Sequence, residues 1–305
     1  MNKLLLQLRS PTYVIIGATF VVLSAVAITA RQPMHWLLGV LQVLMAGVAS
    51  YSLHWSSNRE EFHHNEQGFT WWLALVGLLV FKPNAGVWQF LSATLFFSFA
   101  MRQTGMAFRQ QDAKNIYFNA GFLFGLGALF EPTMVYVLPA FLICIAYTRS
   151  GDWREWILGI LGWLLPVVMA ITICWYFDRM DIINIQWNAL GWVTKAWSCH
   201  WSQLSLTILT IWSIFGLLGT LASSSNKARN TKTVYLLLSF SFAFAMLASS
   251  DGSFHDLSGR LAPFWSMILP FSMVDQKQKW WWKVLFWFIM LTFALSAISS
   301  SLNTL

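Results

Sequence analysis

Charge is what this sequence has least of. Only 10% of its 305 residues are Asp, Glu, Lys or Arg, against about 25% in an ordinary soluble domain. With 57% hydrophobic residues, that shortage excludes a disordered, fibrous or ordinary cytosolic chain. Cysteine is scarce too. Cys144, Cys174 and Cys199 form no CxxC and no Cys/His ligand spacing, so neither a disulfide framework nor a zinc site is expected. There is no P-loop, no GxGxxG after a strand, no HExxH and no GxSxG elbow, which removes the common nucleotide, metalloprotease and serine-hydrolase readings. The net charge of +7 would suit nucleic acid only if the basic residues shared one exposed face.

Aromatic and aliphatic residues are abundant. The chain has 19 Trp and 25 Phe, and indole rings favour the membrane–water interface. Runs of about 20 apolar residues read as membrane spans. They occur at 12–30, 34–55, 156–177, 203–222 and 284–302. Three longer runs are each broken near the middle: 69–101 at Lys82-Pro83-Asn84, 117–148 at Glu131-Pro132, and 234–273 at the polar stretch Ser249 to Arg260. Proline and polar turns stop helices, so each run is expected to fold as a hairpin. The short helices are 69–81, 86–101, 117–130, 133–148, 234–248 and 261–273. The expectation is one integral membrane domain over residues 1–305, an all-α polytopic bundle with about 11 spans (nine to 11). The basic N-terminus MNKLLLQLRS has no clear small-residue cleavage site after it and reads as a retained first helix.

The positive-inside rule orients the bundle. With the N-terminus cytoplasmic, inner segments hold 14 of the basic residues and outer loops hold five, Arg31, Lys82, Arg179, Lys195 and Arg260. Acids divide seven to five between the same sides. The entire basic excess is therefore cytoplasmic, which places the N-terminus in and the C-terminus out. The partner it implies is the lipid bilayer, and nucleic acid drops out. The segment 178–202 spaces Trp187, Trp192, Trp197 and Trp201 by five, five and four. Such spacing suits either a helix lying flat at the outer interface or an aromatic belt in a loop.

In a chain this poor in charge, ionisable groups gathered at one face mark a polar cavity. Outside, these are Glu131, Asp178, Asp181, His200, Asp251, His255, Asp256 and Arg260. Within Asp251 to Arg260, a carboxylate and an imidazole suit general base work, and Arg260 suits a phosphate. We therefore take Asp251, His255 and Asp256 as catalytic candidates, and Arg260 and Glu131 as substrate-binding candidates. A turn-forming loop with Arg260 anchored at headgroups is the bland alternative, as is Glu131 serving only the dipole of the next helix. On the inner side, Glu60 to His63 and Glu61 to His64 have the i, i+3 ligand spacing. No second copy exists, so no metal is assigned. No cofactor is indicated either. Gly121 and Gly125 form a GxxxG pattern, continued by Gly127, which fits close helix packing.

Two stretches resemble recurrent parts of the GT-C superfamily, polytopic glycosyltransferases that use lipid-linked sugar donors. Asn119 to Pro139, with Glu131-Pro132-Thr133 at its centre, is similar to that superfamily's "AGLLLGLALLxKPTxLxxLP" helix pair. Gly259-Arg260-Leu-Ala-Pro263 through Pro270 resembles its late "RYxxPxxP" segment. The whole-chain layout also resembles an uncharacterised family of Bacteroidota membrane proteins, in which an Arg-Glu-Trp like Arg154-Glu155-Trp156 opens a helix containing Gly162 and Pro166. The resemblance implies a GT-C-like fold in the bacterial inner membrane, a role in envelope biogenesis, and a polyprenyl-phosphate-linked sugar as partner. The acid that GT-C enzymes carry in the first outer loop is missing from Arg31-Gln32-Pro33. A non-enzymatic subunit docking another membrane protein through Trp-rich faces is the rival expectation. Transport or lipid flipping through the broken helices is a third.

Overall fold

The apolar runs fold as helices, and the clearest break between two of them is at Glu131-Pro132. The computed structural model describes residues 44–53, 74, 87–107, 112–148, 153–181, 210–211, 214, 218, 221–222, 226–249 and 254–268. Among them all regular structure is helical, as the composition implies. The helices are α1 (Leu44–Leu53), α2 (Val87–Met106), α3 (Lys114–Phe130), α4 (Val137–Thr148), α5 (Trp153–Tyr176), α6 (Asn226–Ser249) and α7 (Phe254–Ile268). A 3-10 turn over Pro132–Tyr136 precedes α4. Two stretches, α5 and Arg229–Ala248 of α6, are long and apolar enough to cross a membrane.

Pro132 explains the break between α3 and α4. Its ring and missing N–H end the first helix, and Glu131 leaves in an extended conformation (φ −128°, ψ 99°). The Glu131 N–H still reaches the Gly127 carbonyl at 2.9 Å, and Pro132 opens the 3-10 turn, where its fixed φ is favourable. The chain then doubles back. Tyr117 near the start of α3 hydrogen-bonds Thr148 at the end of α4, and the Phe124 and Phe141 rings meet at 5.1 Å. The hairpin expected at 117–148 is formed. A second hairpin joins α6 and α7, with Phe240 against Phe264 at 5.2 Å and Ser239 Oγ 3.2 Å from Met267 Sδ.

Helix ends differ from the hydropathy reading. Helix α6 starts at Asn226 rather than 234, and α7 starts at Phe254 rather than 261. Hydropathy marks where a helix suits lipid, whereas polar residues with fair helix propensity extend a helix past its apolar stretch. Residues 226–249 contain neither glycine nor proline, and α7 continues through Gly259 and Pro263. The expected spans at 12–30 and 284–302, all of 69–81 but Ala74, the Trp-rich segment beyond residue 181, and most of 203–222 lie outside the described residues.

The tightest packing is between α3 and α5. A Cβ on Gly121 would collide with the Gly159 carbonyl, one on Gly125 with the Trp163 carbonyl, and one on Gly162 with the Phe118 carbonyl. The GxxxG pattern thus serves close packing, as expected, and its partner is the glycine-bearing face of α5. Gly127 points instead toward α2, where the nearest atoms are 3.7 Å and 3.8 Å away. The aromatic core lies among α2, α3, α4 and α6, with Phe97 4.3 Å from Phe242 and 6.0 Å from Phe124.

These contacts give the bundle two ends. At one, the Ala113 N–H meets Glu155 Oε1 at 3.3 Å, the Tyr147 hydroxyl meets Asn230 at 3.0 Å, and Gly105 abuts the Tyr235 ring. Arg102, Lys114, Arg154, Arg229 and Lys232 all belong to helix ends that converge there. The start of α2, the α3–α4 break and the first half of α7 lie at the other end.

Candidate functional site

At that second end, two residues singled out separately by sequence are bonded to each other. Arg260 Nη1 donates to Glu131 Oε2 at 3.2 Å across 129 residues of chain. Thr133 Oγ1 donates to the other carboxylate oxygen, Oε1, also at 3.2 Å. The Arg260 guanidinium carbon lies 5.9 Å from the centre of the Phe90 ring, within range of a cation–π attraction. Both charged side chains are about nine-tenths removed from solvent, at 9% exposure for Arg260 and 11% for Glu131.

Each part has a local cause. Glu131 is fixed by the break it occupies, because Pro132 forces the extended conformation that ends α3. Thr133 sits two residues on, inside the 3-10 turn, close enough for its hydroxyl to reach back. Arg260 is carried by α7, with Gly259 before it and Pro263 one turn later. Phe90 comes from the first turn of α2. A rigid helix, a proline-fixed turn and an aromatic platform therefore hold one guanidinium and one carboxylate together.

Chemically, this is an internally neutralised pair in apolar surroundings. Removing Arg260 leaves the Glu131 carboxylate buried without this cation, while replacing both with apolar groups is often neutral for stability. An arginine held this way presents a planar fork suited to carboxylate or phosphate oxygens.

The remaining candidates fare differently. Residues 254–260 were expected in a loop, but they are the opening turns of α7. His255 and Asp256 are therefore helical, with Asp256 four residues before Arg260. Their side chains lie outside the described residues, as does all of Asp251 and the Glu60–His64 cluster. Asp178 follows α5 in a left-handed conformation, φ 54°, and closes the helix end by donating its N–H to the Trp175 carbonyl at 3.1 Å.

Sequence reasoning missed Phe90, Thr133 and Glu155. Thr133 had a local signal, its place two residues after a helix-ending acid. Phe90 had none. Glu155, in the first turn of α5, is 2% exposed. Its Oε1 accepts the Ala113 N–H at the start of α3, and its Oε2 has no hydrogen-bond partner among the described residues. It belongs to the opposite, basic end.

No curated protein and no solved structure matches the chain. Over residues 1–300 it matches DUF6427, a family of unknown function, and it is to that family that the chain belongs.

Proposed function

We propose that this is a multi-pass protein of the bacterial inner membrane, with about 11 spans and a cytoplasmic N-terminus, acting in envelope biogenesis. In this reading the Glu131–Arg260 cluster lies toward the outer leaflet and handles a lipid-linked saccharide. The observation that carries it is the Glu131–Arg260 contact itself. It joins residues 119–139 to residues 259–270, the two stretches that resemble GT-C glycosyltransferases, at one point in space. Membrane residence is supported by α5. Only 28% of its apolar window is buried, unlike the core helix of a soluble protein. The basic cluster at the other end of the bundle agrees with a cytoplasmic face there.

Arg260 then takes the phosphate of the lipid carrier, with the incoming anion exchanging against the Glu131 carboxylate on the same guanidinium. Asp251, His255 and Asp256 lie within nine residues of Arg260 in the chain and supply acid–base groups for any transfer. The test is incorporation of a labelled glycan into the envelope of cells carrying only Arg260→Gln, Asp256→Ala, or the apolar pair Glu131→Leu with Arg260→Met. All three should lose incorporation, and the apolar pair, which leaves no lone charge, should do so while the protein accumulates normally. Unchanged envelope glycans in all three would end the proposal.

One observation favours a second reading, a non-enzymatic subunit or scaffold for an envelope partner. The pair neutralises itself and is buried, as a purely structural clamp would be. That reading predicts that the apolar pair keeps both function and co-purification of the partner.

A further inference from the structure

We infer that the outward face of α5 is a lipid-contact surface, covered in the cell by bilayer acyl chains rather than by protein. The inference rests on the membrane reading above and goes beyond it by placing α5 at the edge of the bundle and fixing which face meets lipid. The buried residues of α5 are Glu155, Gly159, Gly162, Trp163, Pro166 and Val167, a single stripe at helical spacing. The opposite side is bulky and apolar, with Ile157, Leu161, Leu164, Leu165 and Val168 all exposed. With Ile171 on one flank and Met169 and Ile173 on the other, also exposed, the exposed positions span roughly 200° of the helix at about 100° per residue, wider than the contact one neighbouring helix makes.

Three features commit this face to hydrocarbon. No charged residue occurs from Trp156 to Phe177, which matches an uncharged solvent. Thr172, an exposed hydroxyl within it, donates to its own helix at the Val168 carbonyl, 2.8 Å away, so this hydroxyl does not face lipid unsatisfied. Aromatic side chains stand at both rims: Trp153 is 66% exposed and Trp175 72%. These two are 22 residues apart, about 33 Å of helix, close to the ~30 Å hydrocarbon thickness. Charge flanks the uncharged stretch at both ends, with Arg154 lying over the Trp153 ring at 5.9 Å and Asp178-Arg179 following Phe177. A second copy of the chain is the poorer occupant. Helix pairs in membranes meet through small residues, and the glycines of α5 are already used against α3 and α4.

The test uses the wild-type full chain reconstituted in vesicles of phosphatidylcholine and phosphatidylglycerol that include a diazirine-tailed phosphatidylcholine. After photolysis, carbene insertion is mapped by peptide mass spectrometry. Insertion should concentrate on Ile157, Leu161, Leu164, Leu165 and Val168, with little at Gly159, Gly162 and Pro166. Insertion into other apolar segments with none on α5 would overturn the inference while leaving the membrane reading standing. Insertion nowhere in the chain would overturn both.

Discussion

Arg260 and Glu131 depend on each other, and single substitutions should show it. Arg260→Ala leaves the Glu131 carboxylate buried without its cation and should destabilise by about 3–5 kcal/mol, read as a lowered unfolding midpoint in detergent micelles. Thr133→Ala removes one hydrogen bond to the same carboxylate and should cost only about 1 kcal/mol. Glu131→Leu combined with Arg260→Met should recover most of the loss, because no lone charge remains. Asp178 is the opposite case. A non-glycine residue in the left-handed region costs about 1–2 kcal/mol, and an acid at a helix C-terminus meets the unfavourable end of the dipole. Asp178→Gly should therefore raise the unfolding midpoint. Glu131 and Arg260 were legible in the sequence as rare ionisable groups beside helix breaks. Their bond was not, because local patterns carry no information about partners 129 residues away. Phe90 was invisible for the same reason, being one of 25 phenylalanines.

Between helices, glycine position decides tolerance. Gly121 and Gly162 each press on a facing backbone carbonyl that cannot rotate away. Gly121→Ala or Gly162→Ala should thus force α3 and α5 apart and cost about 1–3 kcal/mol. Gly127→Ala meets only ordinary contacts, and the better helix propensity of alanine should leave stability unchanged or slightly raised. Thermal unfolding of the three variants in one detergent checks the contrast. A uniform response across the three would contradict the assigned interface. The existence of these helices and of both hairpins was legible from apolar runs and from Glu131-Pro132. Their ends were not, since polar residues at 226–233 and 254–260 lower hydropathy without breaking the backbone hydrogen bonding of a helix.

For the whole molecule, charge sorting and topology tell one story. Sequence counting assigned Arg102, Lys114, Arg154, Arg229 and Lys232 to the cytoplasm, and the helix packing gathers those same residues at one end. A reporter enzyme active only outside the cytoplasm should be silent when fused after Ser150 and active when fused after Ser250. The reverse pattern would contradict the orientation. Among the described residues the all-helical architecture agrees with the composition, because on the membrane reading a charge-poor chain must satisfy its backbone internally, and long apolar runs do so as helices. The function of the second end is the central claim, and the lipids retained by gently purified protein test it most directly. Mass spectrometry of wild type beside Arg260→Gln should find a polyprenyl-phosphate-linked sugar on the first and none on the second. Ordinary phospholipid alone on both would contradict the account.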